Sequence, residues 1–394
     1  MANQESLVPL KSLLFCFHAS NTIIVSFLPL YLQFKGLSGT EIGLVLAIGP
    51  LASIFAQPFW GYMSDKYRTV KRILMICLIG LLVSSVIFFQ MNSLIAILGM
   101  AAIFYFFISP IGALGDSLAQ RRADALGKSF GTIRTWGSIG FAISSLVVGE
   151  ILARTGIQYM IWPYLFFGLA CLAMCFTLVD VPTKSQKSIQ LKDVKLLIQN
   201  PPFIIFLFLV MFITITHRTS DSFIGIYIAQ LGGGEGLIGI SWFLGVASEA
   251  LVFALAGFWF RKFPPLIFII IAGLLYSVRW YMYAVFDDPA LIVAFQFLHG
   301  LTFGVFYLSA FQYVTRLIPE NLQATGHLVF VSVFFGLSGI IGSLGGGALI
   351  DSAGGGFLYG CMGTLAFIGA ILLLIYHVLP FGKETKQKKM KVSS

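Results

Sequence analysis

The sequence predicts an all-α polytopic membrane protein of about twelve transmembrane helices in two six-helix bundles. Three observations carry that prediction. Of 394 residues, 58% are apolar and 10% charged, with a mean hydropathy of +0.92, whereas a soluble domain has roughly 25% charged residues. The apolar residues fall in runs of about 20, the length that spans a bilayer. Residues in the first half also recur in the second at one fixed separation. The composition excludes a water-soluble globule, and the runs leave almost no chain for a soluble domain.

Charge, Gly and Pro bound the runs. Six spans fall near Leu10 to Gln33, Thr40 to Met63, Ile73 to Phe89, Leu94 to Ala119, Phe130 to Leu152 and Tyr159 to Val179. Six more fall near Phe203 to Ile228, Leu237 to Phe260, Leu266 to Phe286, Leu291 to Val314, Ala324 to Ile350 and Phe357 to Val378. The longest polar stretch between spans runs from Pro182 to about Asn200. The predicted organisation is a bundle over 1–180, a cytoplasmic linker over 181–200, a second bundle over 201–379 and a basic cytoplasmic tail over 380–394.

Tyr31, Gly36, Ile42, Gly43 and Gly61 are answered by Tyr227, Gly232, Ile238, Gly239 and Gly257, each pair 196 residues apart, and Gly140 with Gly336 and Gly149 with Gly345 keep that separation. Parallel repeats of six helices are a transporter design, with the substrate site expected between the halves near mid-bilayer.

The net charge of +9 does not point to nucleic acid, because the basic residues lie between spans rather than in one patch. Lys66, Arg68, Lys71 and Arg72 form one cluster, and Arg121, Arg122 and Lys128 a second. Lys184, Lys187, Lys192 and Lys195 form a third, and Lys383 to Lys391 a basic tail. With Arg261 and Lys262, all fall on one side; the opposite loops hold little beyond Lys35 and Arg154. The positive-inside rule then places both termini in the cytoplasm. The N-terminus (MANQES) lacks a basic start and a small-residue cleavage site, so the first span is expected to be retained. The five cysteines lie in apolar runs and imply no disulfide framework. Cys171 and Cys175 are one turn apart, but with no His or carboxylate close by they read as packing groups, and no metal or cofactor is implied.

An ionisable group at bilayer depth costs about 2.5–3.5 kcal/mol on insertion scales, so it usually faces a cavity or a partner. Asp116 lies in the fourth span, Arg134 in the fifth, Arg218 and Asp221 in the seventh, Glu249 in the eighth, Arg279 in the ninth and His299 in the tenth; His18 and Asn21 share a face of the first. Asp116 and Arg134 either grip the hydroxyls of a polar substrate or form a structural salt bridge. Small residues in Gly131-Thr-Ile-Arg-Thr-Trp-Gly-Ser-Ile-Gly140 permit close helix contact and favour the first reading. Glu249, a carboxylate in an apolar run, either loads and releases a proton near neutrality or is permanently paired with Arg279. His299 can donate or accept near neutral pH, or be a satisfied core histidine. Arg218 and Asp221, one turn apart, can simply neutralise each other. The stretch Gln57-Pro-Phe-Trp-Gly-Tyr-Met-Ser-Asp-Lys66 joins the second and third spans. There Gly61 admits a neighbouring helix while Asp65 and Lys66 can cap or pair at a helix end, so the three are expected to form a gate latch.

These residues resemble the major facilitator superfamily over nearly the whole chain. Gly61-x-x-x-Asp65-Lys66 followed by Lys71 and Arg72 is similar to its signature between helices two and three, with Tyr67-Arg68 where a glycine is usual. Phe55 to Lys66, Phe130 to Gly140 and Leu298-His-Gly-Leu-Thr-Phe-Gly304 resemble the second, fifth and tenth helices of the group that includes lactose permease and the nucleoside and phenylpropionate permeases. The resemblance implies that Asp116 and Arg134 hold sugar, that Phe141 stands where a tryptophan stacks on it, and that Glu249, Arg279 and His299 link substrate to protonation. It departs at Thr302, where the group carries a carboxylate one turn after that histidine, and at Phe335, where it carries a lysine. Proton coupling then has to use Glu249, Asp116 or Asp221. Arg134 and Arg279 could instead clamp an acidic substrate.

The function expected is proton-coupled uptake of a small sugar-like or nucleoside-like solute by a monomer in a bacterial plasma membrane, working by alternating access. The alternatives are an aromatic-acid importer, an uncoupled facilitator and a proton-driven drug exporter. Drug antiporters usually carry a Gly-Pro pair late in the fifth helix, and Gly137 to Gly149 contains no proline. An enzyme is not expected, because no nucleophile-and-base or metal set has usable spacing.

Overall fold

The computed structural model describes residues 6–180, 196–260 and 264–379. The linker cluster from Lys184 to Lys195, Arg261 with Lys262, and the basic tail lie outside the described residues. Every described element is helical. The first six long helices are α1 (Val8–Phe34), α2 (Gly39–Lys66), α3 (Val70–Gln90), α4 (Leu94–Ala125), α5 (Phe130–Thr155) and α6 (Ile161–Thr177). Then come α7 (Pro201–Gln230), α8 (Glu235–Trp259), α9 (Pro265–Val285) and α10 (Pro289–Leu317).

The last apolar helical stretch, Thr325–Val378, has 54 residues. At 1.5 Å per residue that is more than twice the ~30 Å hydrocarbon core. Gly354, with φ +79°, interrupts it, giving α11 (323–353) and α12 (355–378) and the expected twelve spans.

Local sequence sets the helix ends. Ser38 and Glu41 form a capping box before α2: Glu41 N donates to Ser38 Oγ at 3.2 Å, and Ser38 N donates to Glu41 Oε2 at 2.8 Å. Thr69 and Ser93 cap α3 and α4 through their hydroxyls. Asp180, beyond α6, accepts from the α3 amides of Val70 and Lys71 and from Thr69 Oγ1, while Lys71 Nζ donates to the carbonyls of Phe176 and Leu178. The start of α3 is thereby tied to the end of α6. α2 ends in a Schellman turn in which Thr69 N bonds Ser64 O and Arg68 N bonds Asp65 O. The left-handed position, where the superfamily signature has glycine, is held by Arg68 at φ +52°, which costs about 1–2 kcal/mol for a residue with a side chain.

The repeat is visible in backbone detail. Gly36 and Gly232 both take φ +87° after α1 and α7, each in a Schellman turn. Gly43 of α2 lies against the Ser343 carbonyl and Gly347 of α11; Gly239 of α8 lies against the Ser145 carbonyl and Gly149 of α5. Likewise Ser144 Oγ donates to Ala19 O at 2.8 Å, and Gly342 faces Ile215 O. The separation of 196 residues therefore holds for α1 with α7 and α2 with α8, but α5 and α11 are related by 198. Gly149 answers to Gly347, not to Gly345, which touches nothing within 4 Å of a Cβ position. The shift lies in the chain itself: Gly43 to Gly149 is 106 residues and Gly239 to Gly347 is 108, so the second half carries two more residues between the matching crossings.

Contacts group the described residues into two compact units. One contains α1 to α6 with Asp221–Phe243 and Ser343–Asp351; the other contains the remainder of α7, Leu244–Gly342 and the chain from Ser352 onward. The core of the first is led by Leu13, Leu14, Ile23 and Phe27 of α1, each at most 0% exposed, and that of the second by Phe203, Phe206, Tyr276 and Phe306, also 0%.

Candidate functional site

In the first unit, α4 and α5 form a hairpin whose turn, at Gly127 (φ +60°), brings Asp116 back beside Arg134. Arg134 Nε stands 3.2 Å from Asp116 Oδ1, and about a third of each side chain is exposed (35% and 36%). Gly137, one turn after Arg134, makes room for its neighbours: a Cβ there would lie 2.7 Å from Arg134 Nη1 and 2.5 Å from His18 Cδ2. His18 of α1 thus joins the pair, and its Nε2 is buried with no hydrogen-bond partner among the described residues. Phe141, one turn further along α5, meets Trp242 at 6.0 Å between ring centroids. Asp221 belongs to this unit and is half-buried on α7. The result is a guanidinium, a carboxylate and an imidazole beside two aromatic rings, a set that can both donate to and accept from hydroxyls while a ring face packs on them.

Glu249 of α8 and His299 of α10 meet in the second unit, with His299 Nε2 3.9 Å from Glu249 Oε2. Close helix approach makes this possible. A Cβ at Gly245 would touch the His299 ring at 3.6 Å, Gly300 lies against the Ser248 carbonyl, and Gly300 N donates to Ser248 Oγ at 2.9 Å. α10 is not regular here: a 3-10 turn over Phe295–Leu298 is followed by a π segment over Gly300–Gly304. Such π segments recur at functional sites.

Arg279 of α9 is 1% exposed and does not pair with Glu249. Its Nε donates to Tyr283 Oη at 3.2 Å, Nη1 to Thr302 Oγ1 at 3.1 Å and Nη2 to Gln296 Oε1, and the cation lies over the Trp280 ring at 4.8 Å. Among the described residues no carboxylate lies within ion-pairing distance of it. Thr302 is one of the three acceptors of Arg279, and the Arg218 guanidinium lies over the Phe335 ring at 5.6 Å.

Sequence reasoning passed over His217. It is 4% exposed, joined to Tyr276 by a 3.0 Å hydrogen bond between His217 Nδ1 and Tyr276 Oη, and stacked on Phe303 at 4.6 Å and 8°. Its ring centroid is 5.6 Å from that of His299. The available signal was its place directly before Arg218, within the same apolar run as Asp221.

Among the described residues, Gly61 and Asp65 of the expected latch meet no neighbouring helix, and Lys66 meets only nearby rings. Gly61 has nothing within 4 Å of a Cβ position, Asp65 is exposed, and Lys66 Nζ lies over the Tyr67 and Tyr62 rings at 5.6 and 6.0 Å.

Comparison with known proteins agrees with this architecture. The chain is 28% identical over 351 residues to a maltose permease of Geobacillus stearothermophilus, covering 88% of this chain and 89% of the relative. It is also 28% identical over 365 residues to the probable 3-phenylpropionic acid transporter of Escherichia coli (strain K12), covering 90% and 91%. The crystal structure of the nucleoside transporter NupG superposes with a TM-score of 0.83 over 95% of this chain and 98% of that one, at 18% identity, which establishes the fold. These relatives are transporters and not enzymes. The sequence pattern of the MFS_1 like family matches residues 7–361, and the chain belongs to that family of the major facilitator superfamily, as a multi-pass membrane transporter of small solutes.

Proposed function

We propose that the protein imports a small, neutral, hydroxyl-rich solute, sugar-like or nucleoside-like, together with a proton, by alternating access. The observation that carries the reading is the pairing of Glu249 with His299 at 3.9 Å while Arg279 is engaged by neutral groups. Glu249 then has a titratable neighbour in His299, an arrangement suited to taking up and releasing a proton. On the substrate side, Asp116, Arg134 and Phe141 serve as binding residues. The Asp116 carboxylate beside Arg134 favours hydroxyls, which both donate and accept, and opposes a substrate anion.

Kinship with a maltose permease supports a sugar. An aromatic acid is the second reading, favoured by kinship with a 3-phenylpropionic acid transporter; Arg134, with about a third of its side chain exposed, would then be the anion's partner. Gly61, Asp65 and Lys66 act as a latch that engages in another conformation, and Asp221 and Arg279 belong to the coupling machinery. The protein works as a monomer in the plasma membrane with both termini in the cytoplasm.

The test is uptake of labelled maltose, sucrose, uridine and 3-phenylpropionate into proteoliposomes, with and without an imposed proton gradient, by wild type and Glu249→Gln. A potential of 100 mV supplies about 2.3 kcal/mol per proton, enough for a roughly fiftyfold gradient. The expected result is gradient-driven accumulation of maltose or another neutral solute by wild type, and equilibration only by the variant. Accumulation of 3-phenylpropionate alone selects the second reading. Transport with no response to the gradient overturns proton coupling.

A further inference from the structure

We propose that His217 of α7 is a positioning residue for the proton step, holding the His299 ring in the orientation that faces Glu249. This deepens the proposed coupling role of Glu249 and rests on it. Three aromatic rings form a triangle in the second unit. His217 stacks on Phe303 at 4.6 Å and 8°, His299 meets Phe303 at 5.3 Å, and His217 meets His299 at 5.6 Å and 41°. His299 and Phe303, four residues apart on α10, share a face and both reach His217. From the far side His299 Nε2 points to Glu249 Oε2, 3.9 Å away.

The His299 ring is thus held by the His217–Phe303 stack on one side and by the Gly245 surface of α8 on another. The stack is itself fixed in rotation by the 3.0 Å hydrogen bond between His217 Nδ1 and Tyr276 Oη. Phe334 closes it edge-on at 5.7 Å. A phenylalanine at position 217 could supply the stacking area without the burial cost of an imidazole, so the polar ring is needed for its hydrogen bond. That bond ties α9 to α7, and the ring contacts of His217 and Phe303 carry the restraint on to His299 of α10. Among the described residues, the titratable and charged groups near His217 include Tyr276 and Arg279 of α9, Arg218 and, one turn on, Asp221 of its own helix, and His299 of α10, with Glu249 of α8 behind His299; α11 contributes the uncharged Phe334.

The deciding experiment uses the full chain in lipid nanodiscs and needs no solute. The infrared band of the protonated Glu249 carboxyl, identified by its loss in Glu249→Gln, is titrated in wild type, His217→Phe and Tyr276→Phe. Tyr276→Phe deletes one oxygen and leaves the ring packing in place, so it decides the matter if His217→Phe folds poorly. Both variants are expected to move the Glu249 midpoint by about one pH unit, a tenfold change in proton affinity, in the same direction. A purely structural role would lower the unfolding temperature and leave the midpoint where it is in wild type, and that result overturns the assignment. If Glu249 shows no titration in wild type, the coupling role of Glu249 fails and the assignment fails with it; if Glu249 titrates but neither variant moves it, only the role of His217 fails.

Discussion

Arg279 is 1% exposed, and neutral side chains meet its charge. Glu249, a carboxylate in an apolar run of the same half, is one candidate partner, yet the guanidinium is satisfied by Tyr283, Gln296 and Thr302. A buried cation held by neutral acceptors depends on each of them, because removing one leaves a charged donor without water or a substitute. Thr302→Ala is therefore expected to destabilise the protein by about 1–3 kcal/mol, read as a lower unfolding temperature in detergent; an unchanged temperature would mean that Nη1 has another acceptor. Asp116 and Arg134 were legible as a pair because they are opposite charges in successive apolar spans, the second rich in small residues. His217 was not, since nothing in a linear run distinguishes a histidine that stacks on Phe303 from one that faces lipid.

Helix pairs in this protein close on glycine and on charge-assisted caps. At the start of α2, Asp351 of α11 accepts from Gly39 N at 2.6 Å, from Thr40 N at 2.7 Å and from Thr40 Oγ1 at 2.7 Å. One turn away Gly43 lets the Ser343 carbonyl into contact. The carboxylate sits on the positive end of the α2 dipole, where an anion is favoured. Asp351→Asn keeps the shape but removes the charge. It is expected to speed hydrogen exchange at the Gly39 and Thr40 amides about tenfold, in line with the ~1.5–3 kcal/mol of a charged hydrogen bond, and mass spectrometry of the peptide containing them would detect it. Equal exchange in both proteins would show that the glycine crossing alone holds the joint. Glycine positions and the capping box of α2 could be read from the sequence; Asp351 as the partner of α2 could not, since the two are more than 300 residues apart along the chain.

For the molecule as a whole, the duplication gives an independent check on topology. With both termini cytoplasmic, as proposed, the turn after α5 faces outward and the turn after α4 inward. A cysteine at Gln158→Cys should then react with a membrane-impermeant maleimide added outside intact cells, above the signal of the unsubstituted chain, while Lys128→Cys should react only after permeabilisation. The reverse pattern would invert the orientation. The sequence by itself determined that the chain is built of apolar membrane-spanning helices, and it marked Asp116, Arg134, Glu249, Arg279 and His299 within them. Hydrophobic length and repeat spacing are properties of the chain taken in order. Only the tertiary structure decided that Glu249 belongs with His299 rather than Arg279, that Gly149 answers to Gly347, and that His217 joins the site. Each depends on which faces of distant helices meet, and the irregular turns of α10 and the glycine crossings set those faces at a resolution finer than one helical turn.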